Sequence, residues 1–476
     1  MTLAARPASA LRLSRRSLLA AGAGAALGGC APWTRRRKDA DVVVVGAGLS
    51  GLFAAMWLTE AGMKTIVVEA SDRIGGRLWT LDDLPGRPEA GGAQVGQTYA
   101  RIRYAAQKLG VAIVDQPRRA REPRLLSLGG TLIPETDWAA SPLNPLPDEF
   151  RSAAPDAALF AAAAPRNPFG APDAWRTPGD ADLSAEAFLQ SLSFSAEARR
   201  IVDIALNANS LTTYSMANVW RTLQLFATDA ALGPTGDIEG GSQRLPEKMA
   251  TEIGDGVRLK TQVGGVTQDN GVVVRTSKGD LAADFCILAL PFPALAGVAL
   301  EPPLSGAQAE AVRNLPYTQI LQLHLAAASP FWERDGLPAA MWTDGPLERV
   351  FTTRDAAGEI VALNAWINGE PARALSARAD AELEAFARDE LARLRPASAG
   401  EVRLLKAVRW TKDASYAGGA YMHWGPSEIA RWSEAMGLPI GRVHFAGEHL
   451  SLLHTGMEGA MESGQAAAEA VIEAAS

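Results

Sequence analysis

Two short apolar runs with a helical pattern between them stand out in the distribution of hydrophobic positions. Residues 42–45 are four consecutive valines, and residues 64–69 (KTIVVE) form a second run rich in β-branched side chains. Continuous apolar runs of this length are typical of central parallel strands that are buried on both faces. Between them, residues 52–58 (LFAAMWL) predict an apolar helix that ends near Gly62. The pattern predicts a strand–helix–strand unit.

The rest of the chain divides into stretches of different pattern. Short strands are predicted around residue 263, at 272–274 and at 284–290, and the last of these contains the apolar run FCILAL, in which Cys286 is expected to be a core residue. Residues 101–235 are rich in alanine and proline and predict mostly helix. Residues 301–439 mix both patterns. Together these patterns favour an α/β fold with a second part in which helices and strands are mixed.

Composition adds size and class to this picture. The chain has 476 residues, of which 47% are hydrophobic and 21% charged, and its formal net charge is −7. This length exceeds one ordinary core and predicts two domains. The balance is typical of a globular protein and argues against a disordered or nucleic-acid-binding one. Two cysteines give no disulfide framework, and five histidines without ligand spacing predict no metal site.

Residues 1–38 are predicted to be an export signal. Arg15 and Arg16 precede an apolar stretch, as in a twin-arginine signal, so a periplasmic location is expected. The apolar stretch is about ten residues long, well short of the roughly 20 that a membrane-spanning helix needs. The LGGC segment at 27–30 also resembles a lipoprotein box, in which Cys30 would carry a lipid anchor. A plain cleavage site is the alternative.

The turn after the first strand carries a dinucleotide-binding fingerprint, GAGLSG. Gly46 permits the tight turn, Gly48 lets backbone amides approach a pyrophosphate, and Gly51 lets the helix pack against the strand. Leu49 and Ser50 begin the helix, whose N-terminus would face the phosphates. A purely structural strand–helix–strand unit is the alternative.

Glu69 ends the second strand at the distance where a ribose diol would be held, which argues against NADP but does not separate NAD from FAD. Just after it, RIGGR at 73–77 resembles the flavin amine oxidase family. The resemblance resumes in EAGG at 89–92, in RVHFAGE at 442–448 and in GMEGA at 456–460. It therefore involves both ends of the chain and implies FAD as the cofactor.

The resemblance also implies an architecture. A discontinuous, Rossmann-like FAD-binding domain would comprise residues 39–100, 236–300 and 440–476, and an α+β substrate domain would comprise 101–235 and 301–439, with a sheet that roofs the flavin. Besides the glycine turn and Glu69, the implied cofactor contacts are Ala70, Arg77, Gly91, Gly92, Ala93, Gln94, Val263, Gly447, Glu448, Gly456 and Met457. Ala420 stands where covalent monoamine oxidases have a linking cysteine, so FAD is expected to be noncovalent.

The implied chemistry is oxidation of a small, mostly apolar amine. A hydride equivalent would leave the carbon next to nitrogen for flavin N5, and water would hydrolyse the resulting imine. Tyr421, in the AGGAY segment at 417–421, matches an aromatic residue that flanks the amine; an ordinary interior aromatic is the alternative. Trp410 and Trp424 are expected to add walls. Met457 stands where the family usually has a second tyrosine.

Two glutamines depart from the family pattern. Gln322 stands where a lysine usually orients water near N5, which puts reaction with oxygen in doubt, so the acceptor is expected to be O2 or a periplasmic electron carrier. Gln94 stands where amino acid oxidases have the arginine that binds a substrate carboxylate, which favours an amine. An L-amino acid oxidase and a carotenoid- or porphyrinogen-type desaturase are alternatives. A noncatalytic FAD-binding scaffold is an alternative of another class.

Overall fold

The computed structural model describes residues 38–115, 122–204, 206–411 and 416–476. The predicted export signal and Cys30 lie outside these residues. The described elements belong to one compact unit, Lys38–Ser476. Its strands, numbered in chain order, are β1 (Val42–Val45), β2 (Thr65–Val68), β3 (Gln94–Val95), β4 (Ile113–Asp115), β5 (Arg124–Leu128), β6 (Thr131–Pro134), β7 (Gly236–Ile238), β8 (Val257–Arg258), β9 (Val263–Gln268), β10 (Val272–Thr276), β11 (Gly279–Ala283), β12 (Phe285–Leu288), β13 (Ala299–Glu301), β14 (Ile320–Ala327), β15 (Ala340–Thr343), β16 (Arg349–Arg354), β17 (Ile360–Asn368), β18 (Val402–Trp410) and β19 (Val443–Phe445).

Helices connect and cover these strands. They are α1 (Leu49–Glu60), α2 (Ala100–Leu109), α3 (Pro155–Ala163), α4 (Ala185–Ser191), α5 (Ala196–Asp203), α6 (Met216–Leu232), α7 (Arg244–Ile253), α8 (Phe292–Leu295), α9 (Gly306–Asn314), α10 (Phe331–Arg334), α11 (Gly369–Ser376), α12 (Asp380–Leu394), α13 (Glu428–Trp432) and α14 (Gly456–Ala475). Short 3₁₀ helices of three to six residues lie between several of them.

A five-stranded parallel sheet is assembled from distant parts of the chain. Its strand order is β19-β12-β1-β2-β8. Val42 of β1 is in register with Thr65 of β2 on one side and with Phe285 of β12 on the other. All four residues of β1, β2 and β12 are buried, as their apolar runs predict for strands covered on both faces. The three segments predicted to share a cofactor domain therefore contribute to one sheet; their domain bounds stay predictions.

The other large sheet has seven strands in the order β18-β14-β17-β16-β15-β5-β6. Two of them, β5 and β6, come from residues 101–235, the stretch whose composition predicts mostly helix. β5 pairs in parallel with β15, so that Leu125 is in register with Met341. This pairing joins residues far apart in the chain, and local propensity carries no sign of it. Smaller sheets have the orders β11-β10-β9-β13 and β3-β7-β4.

Candidate active site

A large cavity of about 730 Å³ lies at the carboxyl ends of β1, β2 and β12. Ligands of open parallel sheets bind at this edge, where the loops after the strands meet. Residues predicted as site residues that line the cavity are Gly46, Gly48, Leu49, Ser50, Glu69, Ala70, Arg77, Gly92, Val263, Tyr421, Glu448, Gly456 and Met457. The structure therefore brings together residues from both ends of the chain and from its middle.

The glycine turn presents backbone donors to the cavity. Gly48 is the N-cap of α1, and no side chain caps its first turn among the described residues. The first N–H groups of a helix have no partner within the helix, and together with the helix dipole they favour an anion. Gly46 has a φ of +105°, which only glycine adopts easily, and a Cβ at Gly51 would lie 2.0 Å from the Gly46 carbonyl oxygen. This turn fits a pyrophosphate.

Glu69 holds the turn from the end of β2. Its Oε2 accepts a hydrogen bond from the N–H of Ala47 at 2.8 Å, and its Oε1 accepts one from the N–H of Ser71 at 2.9 Å. A carboxylate has about four acceptor sites, so lone pairs remain for donors in the cavity. The hydroxyls of a ribose are donors of that kind. Glu69 is therefore placed to order the protein and to bind a nucleotide.

Arg77 and Glu448 form a buried ion pair in the cavity wall. Nη1 of Arg77 donates to Oε1 of Glu448 at 2.8 Å and to the carbonyl oxygen of Ala420 at 3.2 Å. The same Glu448 oxygen accepts a hydrogen bond from the N–H of Met422 at 3.2 Å. This ion pair thus joins the N-terminal segment that contains Arg77, the C-terminal segment that contains Glu448 and the segment that carries Tyr421.

The N-terminus of α14 is held from two sides. Glu458 is fully buried and accepts hydrogen bonds from the N–H groups of Arg101 and Ile102 at the start of α2. Glu462 accepts hydrogen bonds from the N–H groups of residues 452–454, and Arg221 of α6 donates to the carbonyl oxygens of residues 451, 452 and 454. These contacts fix the loop that leads to Gly456 and Met457.

Tyr421 lines the cavity, as do Trp79, Trp410 and Ala417. Burial raises the pKa of Tyr421 well above its ordinary value, so its hydroxyl stays neutral at physiological pH. The adjacent Ala420 offers only a methyl group to the cavity, and a methyl group cannot form a covalent link. The side chains named here are aromatic or apolar, and the Arg73 guanidinium lies against the rings of Trp79 and Trp410.

Several predicted site residues lie outside the cavity lining. Trp424 is a core residue with 1% of its surface exposed, packed 6.2 Å from the ring of Trp175, so it does not wall this cavity as expected. Gln322 is fully buried; its Nε2 donates to the carbonyl oxygen of Ala90 at 3.0 Å, and its Oε1 lies 3.1 Å from Nε2 of His324. Gln94 is exposed on β3.

The remaining glycines and Ala93 are also absent from the lining. The glycines support it instead: a Cβ at Gly91 would lie 1.9 Å from the carbonyl oxygen of Arg77, and one at Gly447 would lie 2.3 Å from the ring of His449. Gly51 has the packing role described above. Each of these contacts leaves room for hydrogen only, which explains why the turns that shape the cavity need glycine.

Sequence reasoning missed a group of residues that line the cavity. Residues 290, 291 and 293 follow β12, and their position at the carboxyl end of a parallel strand was the available signal. Arg73 also lines the cavity, and its guanidinium lies 4.6 Å from the ring centre of Trp79. Nothing in local sequence distinguishes this stacked arginine from a surface arginine.

In the residues that the structure describes, no group of three or more His, Cys, Asp or Glu side chains is placed to hold a metal ion. No helix in that part of the chain is long and apolar enough to cross a membrane.

The sequence is similar to a known protein family and to proteins of that family. The model of the family described as flavin containing amine oxidoreductase matches residues 49–472. The chain is 25% identical to flavin-containing amine oxidase B of Homo sapiens and 27% identical to that of Cavia porcellus, in each case over 91% of this chain and 86% of the relative.

Solved structures have the same fold. Cyclohexylamine oxidase from Brevibacterium oxydans superposes with a TM-score of 0.72 at 25% identity, covering 92% of this chain and 99% of that one. A triple mutant of putrescine oxidase gives a TM-score of 0.74 at 24% identity, covering 91% and 99%. These matches confirm the predicted fold class, a Rossmann-like FAD-binding part combined with an α+β part of the amine oxidase type.

Proposed function

Because the chain belongs to the family of flavin containing amine oxidoreductases, we propose that it oxidises a carbon–nitrogen bond of a small amine with noncovalent FAD as its cofactor. The observation that carries the proposal is one cavity lined by Glu69 and the glycine turn as well as by Tyr421. Nucleotide-binding groups and an aromatic chamber thus share one space, as an enzyme that presents a substrate to a bound flavin requires.

The residues of this chain would hold the cofactor in a definite order. The amides of Leu49 and Ser50 would bind the pyrophosphate, Glu69 the ribose diol, and Val263 would lie against the adenine, while Glu448 and Met457 would lie near the ribityl chain and the ring. When bound, FAD supplies the two-electron acceptor for the amine carbon. Ala420 cannot form a covalent bond to it.

Tyr421 has the central role on the substrate side. An apolar, aromatic wall disfavours the charged form of an amine through desolvation, so the amine would bind as the neutral base that its oxidation requires. The same wall excludes water from the reacting carbon. Related proteins are named for cyclohexylamine and putrescine, which supports a small amine as the substrate class.

Gln322 bears on the electron acceptor. Its amide is neutral and is engaged with Ala90 and His324, so no cation stands at the position where the family usually has a lysine. We propose that reaction with oxygen is slow and that an electron carrier reoxidises the flavin.

We also propose a periplasmic location, with export through Arg15 and Arg16 and a lipid anchor at Cys30. Replacing both arginines by lysine would test the export route through loss of the protein from the periplasm.

Anaerobic reduction of the flavin tests the proposed function. Purified protein loaded with FAD would be mixed with benzylamine, cyclohexylamine and putrescine, with and without carboxylate-bearing amines. Bleaching of the flavin absorbance by at least one amine is expected. Oxygen is then readmitted, or an artificial electron acceptor is added, and the rates at which the two reoxidise the flavin are compared. A protein that holds FAD but is reduced by no amine would be a noncatalytic flavoprotein, and the proposal would be wrong.

A further inference from the structure

Arg349 is a buried arginine that the proposed reaction does not use. It begins β16 and is in register with Trp366 of β17, which is in register with Gln322 of β14, which in turn is in register with Val408 of β18. Residues in register point to the same face of a sheet. Val408 lines the large cavity. Arg349 therefore belongs to the face of the seven-stranded sheet that looks toward the cavity.

The surroundings of Arg349 are aromatic. Its guanidinium carbon lies 5.6 Å from the ring centre of Phe351 and 5.9 Å from that of Trp366. Trp366 and Tyr421 both pack against one apolar cluster (Leu81, Ala90, Ile320, Val408 and Trp410). The Arg349 cation opposes the rise in the pKa of Tyr421 that burial causes, and Tyr214 adds to that rise. Arg349 thus acts electrostatically on Tyr421, which lines the cavity, while Arg349 itself is not among the lining residues.

No ion pair joins Arg349 to a carboxylate within the described residues, although the Asp156 and Glu348 carboxylates act on its charge electrostatically. Its Nη2 donates to Oδ1 of Asn207, a neutral amide, at 3.1 Å, and its Nε has no hydrogen-bond partner there. Only 8% of the residue is exposed. Arg124 pairs with two carboxylates and Arg395 pairs with Asp335. Arg221 resembles Arg349 in its unpartnered Nε, but it donates to three backbone carbonyl oxygens. An unpaired cation at this depth is costly, and an incoming anion would offset that cost.

We propose that Arg349 binds a carboxylate of the substrate, so that the amine this protein oxidises carries an acid group. The inference rests on the proposed function and refines it. A guanidinium matches a carboxylate in planar, two-point geometry, and such bonds are among the strongest between side chains and ligands. The carboxylate site then lies on β16, away from position 94, where the family pattern predicts it. The aromatic rings around Arg349 would hold the apolar body of the substrate.

Matched amine pairs test this proposal in wild-type protein. Anaerobic reduction would be compared for 2-phenylethylamine against phenylalanine, and for benzylamine against 4-(aminomethyl)benzoate. Each pair differs by one carboxylate, at the reacting carbon or at the far end. At least one acid is expected to reduce the flavin at a concentration about 10- to 100-fold lower than its plain amine, the ratio that charge-assisted hydrogen bonds provide. Plain amines that perform as well as both acids would overturn the inference.

Substitution separates the charge from the fold. Arg349→Gln is expected to remove the advantage of the acid over the plain amine, whatever its effect on the plain amine itself, and Arg349→Lys is expected to keep part of that advantage. Arg354→Gln is the matched control, because Arg354 is on the same strand but exposed and pairs with Glu122. An equal loss for acid and plain amine in Arg349→Gln would indicate a structural role and contradict the proposal.

A binding probe keeps the test independent of turnover. Benzoate, with benzamide as its neutral analogue, would be titrated against the FAD-loaded wild type and the Arg349→Lys variant while the flavin spectrum is recorded. Benzoate is expected to bind more tightly than benzamide in wild type and less tightly in the variant. If no amine of any kind reduces the flavin, the proposed function fails; if benzoate and benzamide bind alike, the Arg349 inference fails by itself.

Discussion

Glu69 orders the local chain and, in the proposed function, would also bind the nucleotide. Glu69 accepts hydrogen bonds from the N–H groups of Ala47 and Ser71, which lie on the two turns that border the cavity. Those bonds set the direction of its side chain before any nucleotide arrives. A ligand that binds such a group does not have to order it, which lowers the entropy cost of binding.

Replacement of Glu69 should therefore weaken FAD binding strongly. We expect Glu69→Ala to raise the dissociation constant of FAD by about 10- to 100-fold, because a charged hydrogen bond to the ribose contributes about 1.5–3 kcal/mol. Glu69→Gln is the control, since its amide oxygen can still accept one backbone bond and its loss should be smaller. Flavin fluorescence quenching on titration measures both constants. Unchanged FAD affinity in Glu69→Ala would show that the ribose is held elsewhere.

Tyr421 lines the cavity and is proposed to flank the substrate, so its replacement should affect flavin reduction rather than FAD binding. Tyr421→Ala is expected to slow anaerobic flavin reduction by ten-fold or more while FAD content changes little, because the aromatic wall is lost and the cofactor contacts remain. Tyr421→Phe keeps the ring and should lose far less. Stopped-flow absorbance gives the reduction rate, and the flavin-to-protein ratio gives the content. Equal rates in all three proteins would remove Tyr421 from the site.

At the scale of elements, the crossing of α1 and α14 positions the glycine turn. A Cβ at Gly464 of α14 would lie 2.3 Å from the carbonyl oxygen of Ser50 in α1, so the two helices approach as closely as glycine allows. Because Ser50 lines the cavity, the packing of a C-terminal helix determines the place of the phosphate-binding amides.

Gly464→Ala should disturb both stability and cofactor binding. Overpacking of a core typically costs about 1–3 kcal/mol, and we expect a loss of unfolding free energy in that range together with weaker FAD binding. Gly264→Ala is the matched control, since a Cβ there has no atom within 4 Å. Urea unfolding and FAD titration measure the two effects. A Gly464→Ala protein as stable as the control variant would mean that α1 and α14 can move apart without loss of unfolding free energy.

The sequence predicted the elements near the cofactor well. The predicted strand at 42–45, the helix after it and the strand at 64–69 correspond to β1, α1 and β2, because runs of valine and isoleucine and a glycine turn are strong local signals. β5 and β6 form a local hairpin across Gly129 and Gly130, which the alanine- and proline-rich composition of residues 101–235 concealed, and only the pairing of β5 with β15 is long-range. The expected place of Trp424 in the cavity wall depends on tertiary packing, which puts its ring against Trp175 in the core.

At the scale of the whole molecule, one ion pair closes the cavity across 371 positions of sequence. Arg77 and Glu448 are 21% and 8% exposed, and each also binds the backbone near Tyr421. Removal of one partner from a buried pair leaves an unpaired charge, which typically costs about 3–5 kcal/mol. We expect Glu448→Ala to lose stability in that range and to lose FAD as well.

A surface pair provides the comparison for Glu448. Arg393 and Glu390 lie one turn apart on α12, and Arg393 is 51% exposed. Glu390→Ala should therefore lose less than about 1 kcal/mol. Urea unfolding of both variants, with flavin content recorded at each step, gives the two values. Similar losses for the buried and the exposed pair would contradict the view that Arg77 and Glu448 tie the ends of the chain together.

Buried histidines make the stability of the whole molecule depend on pH. Burial lowers the pKa of His423 and of His449 to about 3 and that of His324 to about 4, whereas an unfolded histidine titrates near 6.5. As pH falls below 6.5, these histidines bind protons in the unfolded chain but stay neutral in the folded protein. Each histidine then reduces stability by up to about 1.4 kcal/mol per pH unit until its folded pKa is reached.

The stability of the FAD-loaded protein should therefore fall between pH 6.5 and 5, a window that lies above the titration of ordinary carboxylates. Glu428, whose pKa burial raises to about 7, opposes this fall by about the slope of one histidine, so the histidines together outweigh it. His423→Gln keeps a polar side chain beside Thr318 and removes the titrating ring, so its stability is expected to fall less steeply in that window, even if it is lower at pH 7.5. Urea midpoints at half-unit steps of pH measure both slopes. Parallel slopes for the wild type and the variant would mean that His423 is protonated in the folded protein.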